Sequence, residues 1–530
     1  VVLKPGLNFH ACFDTDLLRY ALIWKGDGIE LTSMAPGSYN RTSKNKKSAA
    51  GERALPKALG SPLLALATIP GVETQKSTWQ DPREPASDPK QLCNGPLPIN
   101  KGHWNGIMLT KQGPVLSYSL GKTEVFETLK SSTTDKLNLL ERRFKIVNAK
   151  ENLFFHIGEF NNSEIATFKN FAFIKMSKKR VIALKVIGPN EASFSNKGSR
   201  IDLQVKADSQ VDLSLLIWEG PESQLQKFKN MEHSLSPFPD LNNTPPLFWP
   251  STEKTKVIPE TTDKEFLIDR VELPLNNPDH RNIRLSGIDF FKNGTAALST
   301  FDGDVWVVKG LDNKSTISWK RFASGLHEPL GLVIKDEKII VFDRNGIIRL
   351  HDRNNNGEAD FYENFCNLPI QTAESREFAM DIKLMPDGSF VIAKGGLRSE
   401  TLNPYAGAII HISANGKKSE IIANSLREPF IGVDPKTGEI FASDQQGHWV
   451  PSTPFYVIKK NGSYGFKPTF IKDKSNTKLS EKPATWIPHR ISQSGASILR
   501  LYSKNMGSLN NKVVYLDYTT ATLSAIFYDS

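Results

Sequence analysis

The stretch Asp352-Arg-Asn354-Asn-Asn356-Gly357-Glu358-Ala-Asp360-Phe-Tyr-Glu363 fits the pattern D-x-N-x-N-G-x-x-D-x-x-E at every ligand position. Ca2+ takes roughly six to eight hard oxygens at about 2.3–2.6 Å. Asp352, Asn354 and Asn356 place side-chain oxygens on one side of a tight curl, and Gly357 permits the sharp turn. The Glu358 carbonyl supplies the next oxygen, Asp360 acts through water, and Glu363 closes the shell with both carboxylate oxygens. A metal-free hairpin rich in Asn, Asp and Gly is the competing reading. Ile347 to Leu350 read as a strand, not as the incoming helix of an EF-hand, so a structural calcium loop between strands is expected.

A second set of residues is spaced by a repeat. Arg284, His327, Arg376 and Arg427 each stand shortly before an apolar strand-like run, and Asp302, Asp343, Lys394, Asp444 and Asp517 end the run that follows. Arginines and aspartates in a ring suit a polyhydroxylated or anionic ligand, through bidentate guanidinium contacts and carboxylate–hydroxyl bonds. His327 is the candidate general base by residue type. Asp in an Asp-x-x-Gly turn also caps its own backbone, which is the competing reading of Asp343 and Asp444. For the arginines the competing reading is salt bridging between repeats. His448 and Trp449 offer a sugar-stacking edge or a packed aromatic pair.

These residues need strands to position them. From about residue 265 the chain repeats a run, a Gly/Asp turn and a second run, with Gly287, Gly331, Asp381 and Gly432 at spacings of 44, 50 and 51. Blades of a β-propeller take about 40–50 residues each. Four units are clear and a fifth covers Ser497–Phe527, which predicts a six-bladed propeller over 265–530, incomplete in this stretch. Loops before the inner strand and loops between second and third strands then open onto one face, where the second set would gather. Upstream, strand-length runs broken by Gly, Asn and Ser predict a β-rich module over 1–135 with a long irregular insertion at about 36–98. A second β-rich segment is expected over 136–235, with a helix at Gln224–Met231, and a proline-rich linker over 236–264.

The chain has 530 residues and a net charge of +10, part of it in Arg41 to Lys57. That basic stretch reads as a polyanion patch or a solvated loop. No helix-turn-helix, zinc-finger or RNP pattern accompanies it, so no nucleic-acid partner is expected. No run approaches the roughly 18 apolar residues of a membrane span. Cys12, Cys93 and Cys366 lie far apart; they read as buried, reduced and structural, the alternative being one disulfide with an odd thiol remaining. There is no CxxCH, GxSxG, P-loop, HExxH or dinucleotide-type GxGxxG. The chain begins with Val and is read as a fragment, which leaves its compartment undetermined.

Residues 325–363, from Gly-Leu-His-Glu-Pro-Leu-Gly-Leu through the Asp/Asn/Gly loop, resemble the propeller of the membrane-bound dehydrogenase family. Those bacterial proteins are related to soluble quinoprotein glucose and sorbosone dehydrogenases. Ser425-Leu-Arg427-Glu-Pro429-Phe to Gly447 resembles a later-blade motif of the same family. Cys12-Phe-Asp-Thr-Asp-Leu-Leu-Arg19 and Gly95-Pro-Leu-Pro98 to Thr128 resemble the uncharacterised module that precedes it. The resemblance implies a periplasmic or secreted sugar or alcohol dehydrogenase, using pyrroloquinoline quinone with Ca2+ and passing electrons to a c-type haem domain or partner. Haem c enters only if encoded outside this stretch. Relatives tend to carry a His before Glu377-Phe-Ala where this chain has Arg376. The alternatives are a non-enzymatic carbohydrate-binding or scaffolding propeller and a polysaccharide lyase or hydrolase.

Overall fold

The computed structural model describes residues 1–30, 57–85, 95–177, 179–264, 266–312, 316–369, 377–396, 405–445, 452–466 and 480–527. The chain divides into two compact units, residues 1–84 with 96–246, and residues 85–95 with 247–530.

The first unit is built from antiparallel sheets. One runs, in spatial order, Glu164–Thr167, Phe171–Ser177, Arg180–Ile187, Asp208–Pro221, Leu137–Ala149, Thr123–Thr134, Gly113–Leu120 and His103–Thr110. A second runs Ala192–Lys197, Arg200–Val205, Leu153–Glu159 and Val72–Thr74. A third runs Val2–Gly6, Phe9–Asp14, Arg19–Ile29 and Ala58–Ala65. Alternating apolar residues such as Phe144, Ile146, Phe155, Leu203, Leu213 and Leu215 fill a shared core. The boundary expected between 135 and 136 falls inside a hairpin. Thr134 faces Leu137, and Asp135 and Lys136 take the two positive-φ positions of its turn.

The described part of the insertion contains two strands. Ala58–Ala65 pairs with Arg19–Ile29, and Pro62 is accommodated because a bulge falls beside it, between Ile23 and Trp24. Val72–Thr74 pairs with Leu153–Glu159. The basic stretch up to residue 56 and Cys93 lie outside the described residues. The expected helix is a 3-10 turn, Glu222–Gln224, followed by one helix, Leu225–Asn230. Phe228 holds it down by stacking on Trp218 at 5.5 Å.

The second unit carries five sheets arranged as propeller blades. Blade 1 is Leu285–Phe290, Ala296–Thr300, Val305–Lys309 and Ile317–Ala323, with Glu253–Thr255 added at its outer edge. Part of the expected linker is therefore a strand. Blade 2 is Gly331–Lys335, Lys338–Asp343, Gly346–His351 and Phe361–Cys366. Blade 3 is Ala379–Leu384, Phe390–Lys394, Ile409–Ile412 and Ser419–Asn424. Blade 4 is Phe430–Val433, Ile440–Ser443, Thr453–Val457 and Thr485–Ile487. Blade 5 is Gly495–Arg500, Val513–Asp517 and Leu523–Ile526.

First strands of successive blades pack side by side around the centre. The glycines of the repeat make this possible. A Cβ on Gly331 would lie 2.9 Å from the Ile382 nitrogen, and one on Gly432 would lie 2.8 Å from the Ile498 carbonyl oxygen. Carboxylates tie the blades across this approach. Asp289 accepts the Ile334 N–H at 2.7 Å, and Asp381 accepts the Ile431 N–H at 3.2 Å. Apolar faces such as Ile340, Phe342, Ile382, Phe390 and Ile392 fill the space between blades.

Candidate functional site

Antiparallel pairing fixes where the second residue set gathers. Gly331 at the start of the first strand faces Phe342, so the loop entering a blade lies beside the end of its second strand. The structure turns that adjacency into a clamp used three times. Asp343 accepts the N–H of His327 at 2.9 Å and of Asn345 at 2.7 Å. Asp444 accepts the N–H of Arg427 and of Glu428, each at 2.8 Å, and of Gln445 at 2.9 Å. Asp517 accepts the N–H of Gln493 at 3.1 Å, the N–H of Ser494 at 3.0 Å and the Ser492 hydroxyl at 2.6 Å. The aspartates hold the neighbouring loop as well as their own turn, and they fix the backbone at His327, Arg427 and Gln493. In the first blade Arg284 makes a bidentate pair with Asp302, at 2.6 and 2.8 Å.

The clamp has electrostatic consequences. Burial pushes Asp343 up to about 6 despite its N–H donors, and pushes Asp444 up to about 7. For Asp517 burial acts the same way but is outweighed by the Ser492 hydroxyl and the Thr520 N–H, giving about 2. His327 is pushed down to about 4, first by desolvation among the surrounding loops and then by Arg344. The residue is nonetheless exposed to solvent. The imidazole is therefore uncharged at neutral pH and open to a ligand.

Behind the mouth lies a layer of acids that residue type and spacing alone did not single out. Glu328, Glu377 and Glu428 each follow a site residue and are buried. Glu328 is paired with Arg344, and Arg344 in turn lies 4.8 Å over the Phe378 ring. Glu377 lies 3.8 Å from Lys394, both sealed from solvent. The recurring order His327-Glu328-Pro329, Arg376-Glu377-Phe378 and Arg427-Glu428-Pro429 was the available signal. Lys394 is thus enclosed rather than presented at the mouth. Arg376, His448 and Trp449 lie outside the described residues.

The loop at 352–363 is a run of side-chain-capped turns. Asp352 accepts the N–H of Asn356 and Gly357, at 3.0 and 2.8 Å. Asn354 accepts the Asn356 N–H at 3.1 Å, and Asn356 accepts the Glu358 N–H at 2.9 Å. Asp360 pairs with Arg353 at 2.7 Å. Glu363 lies in strand Phe361–Cys366 opposite Arg349, and it binds Arg349 at 2.9 Å and His351 at 2.6 Å. Burial opposes its charge, but these two partners outweigh it and lower its pKa. Glu358 turns its side chain outward to the N–H groups of Phe248 and Trp249, at 2.7 and 2.9 Å, and to Lys320 at 3.0 Å.

The structure therefore brings Asp352, Asn354 and Asn356 together with the peptide of Glu358, while Asp360 and Glu363 face cationic partners. Among the described residues no group of three or more His, Cys, Asp or Glu is placed to hold a metal ion. Cys12 and Cys366 are free thiols. No helix of the described residues is long and apolar enough to cross a membrane.

Residues 11–127 match a family profile described as Domain of unknown function (DUF6797). No curated protein matches the chain. Solved structures similar to it include the PQQ-bound aldose sugar dehydrogenase of Streptomyces coelicolor. That match has 13% identity and a TM-score of 0.32, covering 46% of this chain and 82% of that one. The PQQ domain of a Coprinopsis cinerea pyranose dehydrogenase matches at 11% identity and a TM-score of 0.33, over 46% and 78% of the two chains. A Xanthomonas campestris gluconolactonase matches at 9% identity and a TM-score of 0.29, over 44% and 70%.

Proposed function

We propose that the second unit is a sugar- or alcohol-oxidising propeller in which His327 accepts the proton of a substrate hydroxyl. The observation that carries this reading is the uncharged, solvent-open imidazole of His327, whose backbone is clamped by Asp343. A neutral imidazole held at a fixed place is what proton abstraction from an alcohol requires. Oxidation of the hydroxyl also removes two electrons, and a bound quinone would supply their first acceptor. Arg284 suits one carboxylate of such a quinone, because nearly half of its side chain stays open while Asp302 anchors the rest. Arg427 is the second described candidate. Lys394 and Arg344 do not fit that role, being enclosed with Glu377 and Glu328.

The reading extends to an extracytoplasmic location and to a c-type haem domain or partner as electron acceptor. Ca2+ belongs to it through Asp352, Asn354, Asn356 and the Glu358 carbonyl. Asp360 and Glu363 would have to exchange Arg353, Arg349 and His351 for the ion.

The test is sugar-dependent dye reduction after addition of pyrroloquinoline quinone and Ca2+, with the spectrum of the bound quinone as a second readout. His327→Asn should lose at least about a hundredfold in rate, as general-base removal does, while the quinone spectrum is unchanged. Protonation of His327 itself should lower wild-type activity only as pH nears 4, so any loss nearer pH 6 to 7 tracks the Asp343 and Asp444 clamps. No quinone spectrum and no dye reduction would defeat the reading. Sugar binding without oxidation would leave the second one, a carbohydrate-binding propeller, which the matched charges of Arg284–Asp302, Arg344–Glu328 and Lys394–Glu377 favour.

A further inference from the structure

One backbone position recurs where the blades open onto the mouth. In blade 1 the Phe301 N–H donates to the Arg284 carbonyl at 2.9 Å, and in blade 2 the Arg344 N–H donates to the His327 carbonyl at 3.0 Å. In blade 5 the Tyr518 N–H donates to the Ser494 carbonyl at 2.9 Å. Each bond joins a residue just past the second strand to the loop that enters the same blade. Two of these three positions are aromatic, and Tyr518 is 80% exposed.

Phe301 belongs to a run of contacts that crosses three blades. The Arg284 guanidinium lies 5.0 Å over its ring, and the Phe378 ring meets it edge-on at 6.3 Å. Phe378 enters blade 3, so this contact reaches past the loop entering blade 2. Arg344 of blade 2 lies 4.8 Å over Phe378 and is close enough to His327 to lower its pKa. Leu330 and Phe430, where the chain enters blades 2 and 4, pack on the same cluster as Phe301 and Phe378. Contacts thus run from Arg284 through Phe301, Phe378 and Arg344 to His327. Phe378 is 7% exposed and belongs to the core, whereas Phe301 stays partly open to solvent.

We propose that Phe301 determines specificity at this mouth, as a flat apolar floor that takes the C–H face of a pyranose ring and so selects ring-form sugars over open-chain alcohols. The proposal rests on the reading of the mouth as the substrate site. A pyranose with equatorial hydroxyls turns axial C–H bonds to each face and its hydroxyls outward. Those C–H bonds suit the electron-rich face of an aromatic ring. The hydroxyls then meet the polar groups beside Phe301, which are the half-open Arg284 and the Asp302 carboxylate paired with it at 2.6 and 2.8 Å. Arg284 and Phe378 hold the ring in place before a ligand arrives, which spares the cost of ordering a loose side chain. An open-chain alcohol can meet the same polar groups but has no rigid face to lay on the ring.

The experiment titrates the 530-residue chain with D-glucose and with sorbitol, the corresponding open-chain polyol, by calorimetry, and measures KM for D-glucose by dye reduction with added quinone. Phe301→Ala should weaken D-glucose binding and raise its KM about tenfold, the scale of one buried apolar ring face. Sorbitol should bind as weakly as before, and the spectrum and affinity of the quinone should not change. Phe301→Leu keeps the apolar packing without the flat face and should behave like Phe301→Ala, so a poorly folded alanine variant leaves the test intact. Phe301→Trp should keep the wild-type affinity. Equal losses for both ligands would overturn the proposal, as would a weakened quinone with D-glucose unaffected, which would assign the ring to the cofactor. The calorimetric arm separates this proposal from the oxidation reading. D-glucose binding that weakens in Phe301→Ala while no variant reduces the dye supports the floor and defeats oxidation. Dye reduction with the same KM in wild type and Phe301→Ala defeats the floor alone. A wild-type chain that does not bind D-glucose overturns the proposal outright.

Discussion

Replacing His156 with Phe should destabilise the first unit more than any substitution of an exposed residue in it. His156 has no exposed side-chain surface and lies between two carboxylates, with Nδ1 2.7 Å from Asp202 and Nε2 2.8 Å from Glu73. A neutral imidazole has one N–H and can donate to only one of them, so the geometry requires the imidazolium. Burial works against that charge, but the two carboxylates outweigh it and raise the pKa. The same cluster fastens the segment after strand Val72–Thr74. Trp79 donates its indole N–H to Asp202 at 2.9 Å, Ser77 binds Asp202 at 2.8 Å, and the Thr78 N–H binds Glu73 at 2.7 Å. Removing one member of a buried ion pair costs about 3–5 kcal/mol. The slight exposure of Glu73 and Asp202 lowers that to about 2–4 kcal/mol through solvent screening. For a unit of this size each kcal/mol moves the melting midpoint by about 2–4 °C, so the drop should be on the order of 5–10 °C. Adding Glu73→Gln and Asp202→Asn to His156→Phe should recover most of the loss, because the stranded charges are then gone. The pH dependence has a definite sign. The raised His156 pKa adds stability that is complete below its unfolded value of about 6.5 and is lost as pH rises through the folded value. Glu73 is lowered to about 2, chiefly by His156 once burial is overcome, so its contribution is present above about 4.5 and lost as pH falls toward 2. Stability should therefore peak between these limits and decline on the alkaline side. A His156→Phe variant that keeps the wild-type midpoint and alkaline decline would refute the reasoning.

The Arg344–Glu328 pair behind the mouth makes a parallel test. Arg344→Met should cost about 3–5 kcal/mol by urea unfolding, and Glu328→Gln in the same chain should restore most of it; equal losses in the single and double variants would contradict this. Calorimetric titration of metal-stripped protein with Ca2+ should give a Kd of about 10⁻⁴–10⁻³ M, in the range of weak extracellular sites. Arg353→Ala should tighten it by freeing Asp360; identical heats in both, or none, would exclude the loop as a calcium site.

The propeller was legible because its repeat is set by physical needs that recur in most blades. A glycine suits the close approach of inner strands at Gly287, Gly331 and Gly432, an acid ends the second strand at Asp343, Asp444 and Asp517, and apolar residues alternate on two packed faces. What each acid does was not legible. Asp343 and Asp444 looked like turn residues, and their N–H partners His327 and Arg427 lie 16 and 17 residues away. Sequence spacing does not show which loop lies against which. The ion pairs of Lys394 with Glu377 and of Glu363 with His351 were hidden for the same reason. The strand at Ala58–Ala65 was hidden by Pro62, which the sequence could only read as a breaker because the bulge that admits it belongs to the partner pairing.

Charge matching at the mouth and in the layer behind it decides how a ligand can be recognised there. Arg284 is offset by Asp302, Arg344 by Glu328 and Lys394 by Glu377, while His327 is neutral. Little net charge from these groups is left to draw a ligand by long-range attraction, whereas carboxylate oxygens, an imidazole and guanidinium edges remain to meet hydroxyls. Exposed unmatched charges lose most of their reach beyond the Debye length, about 10 Å at 0.1 M salt and about 6 Å at 0.3 M. A neutral sugar bound by these groups should accordingly show an affinity that changes less than about twofold between roughly 0.05 and 0.3 M sodium chloride. A steep loss across that range would mean that one of the cations is not neutralised, and would turn the search toward acidic sugars.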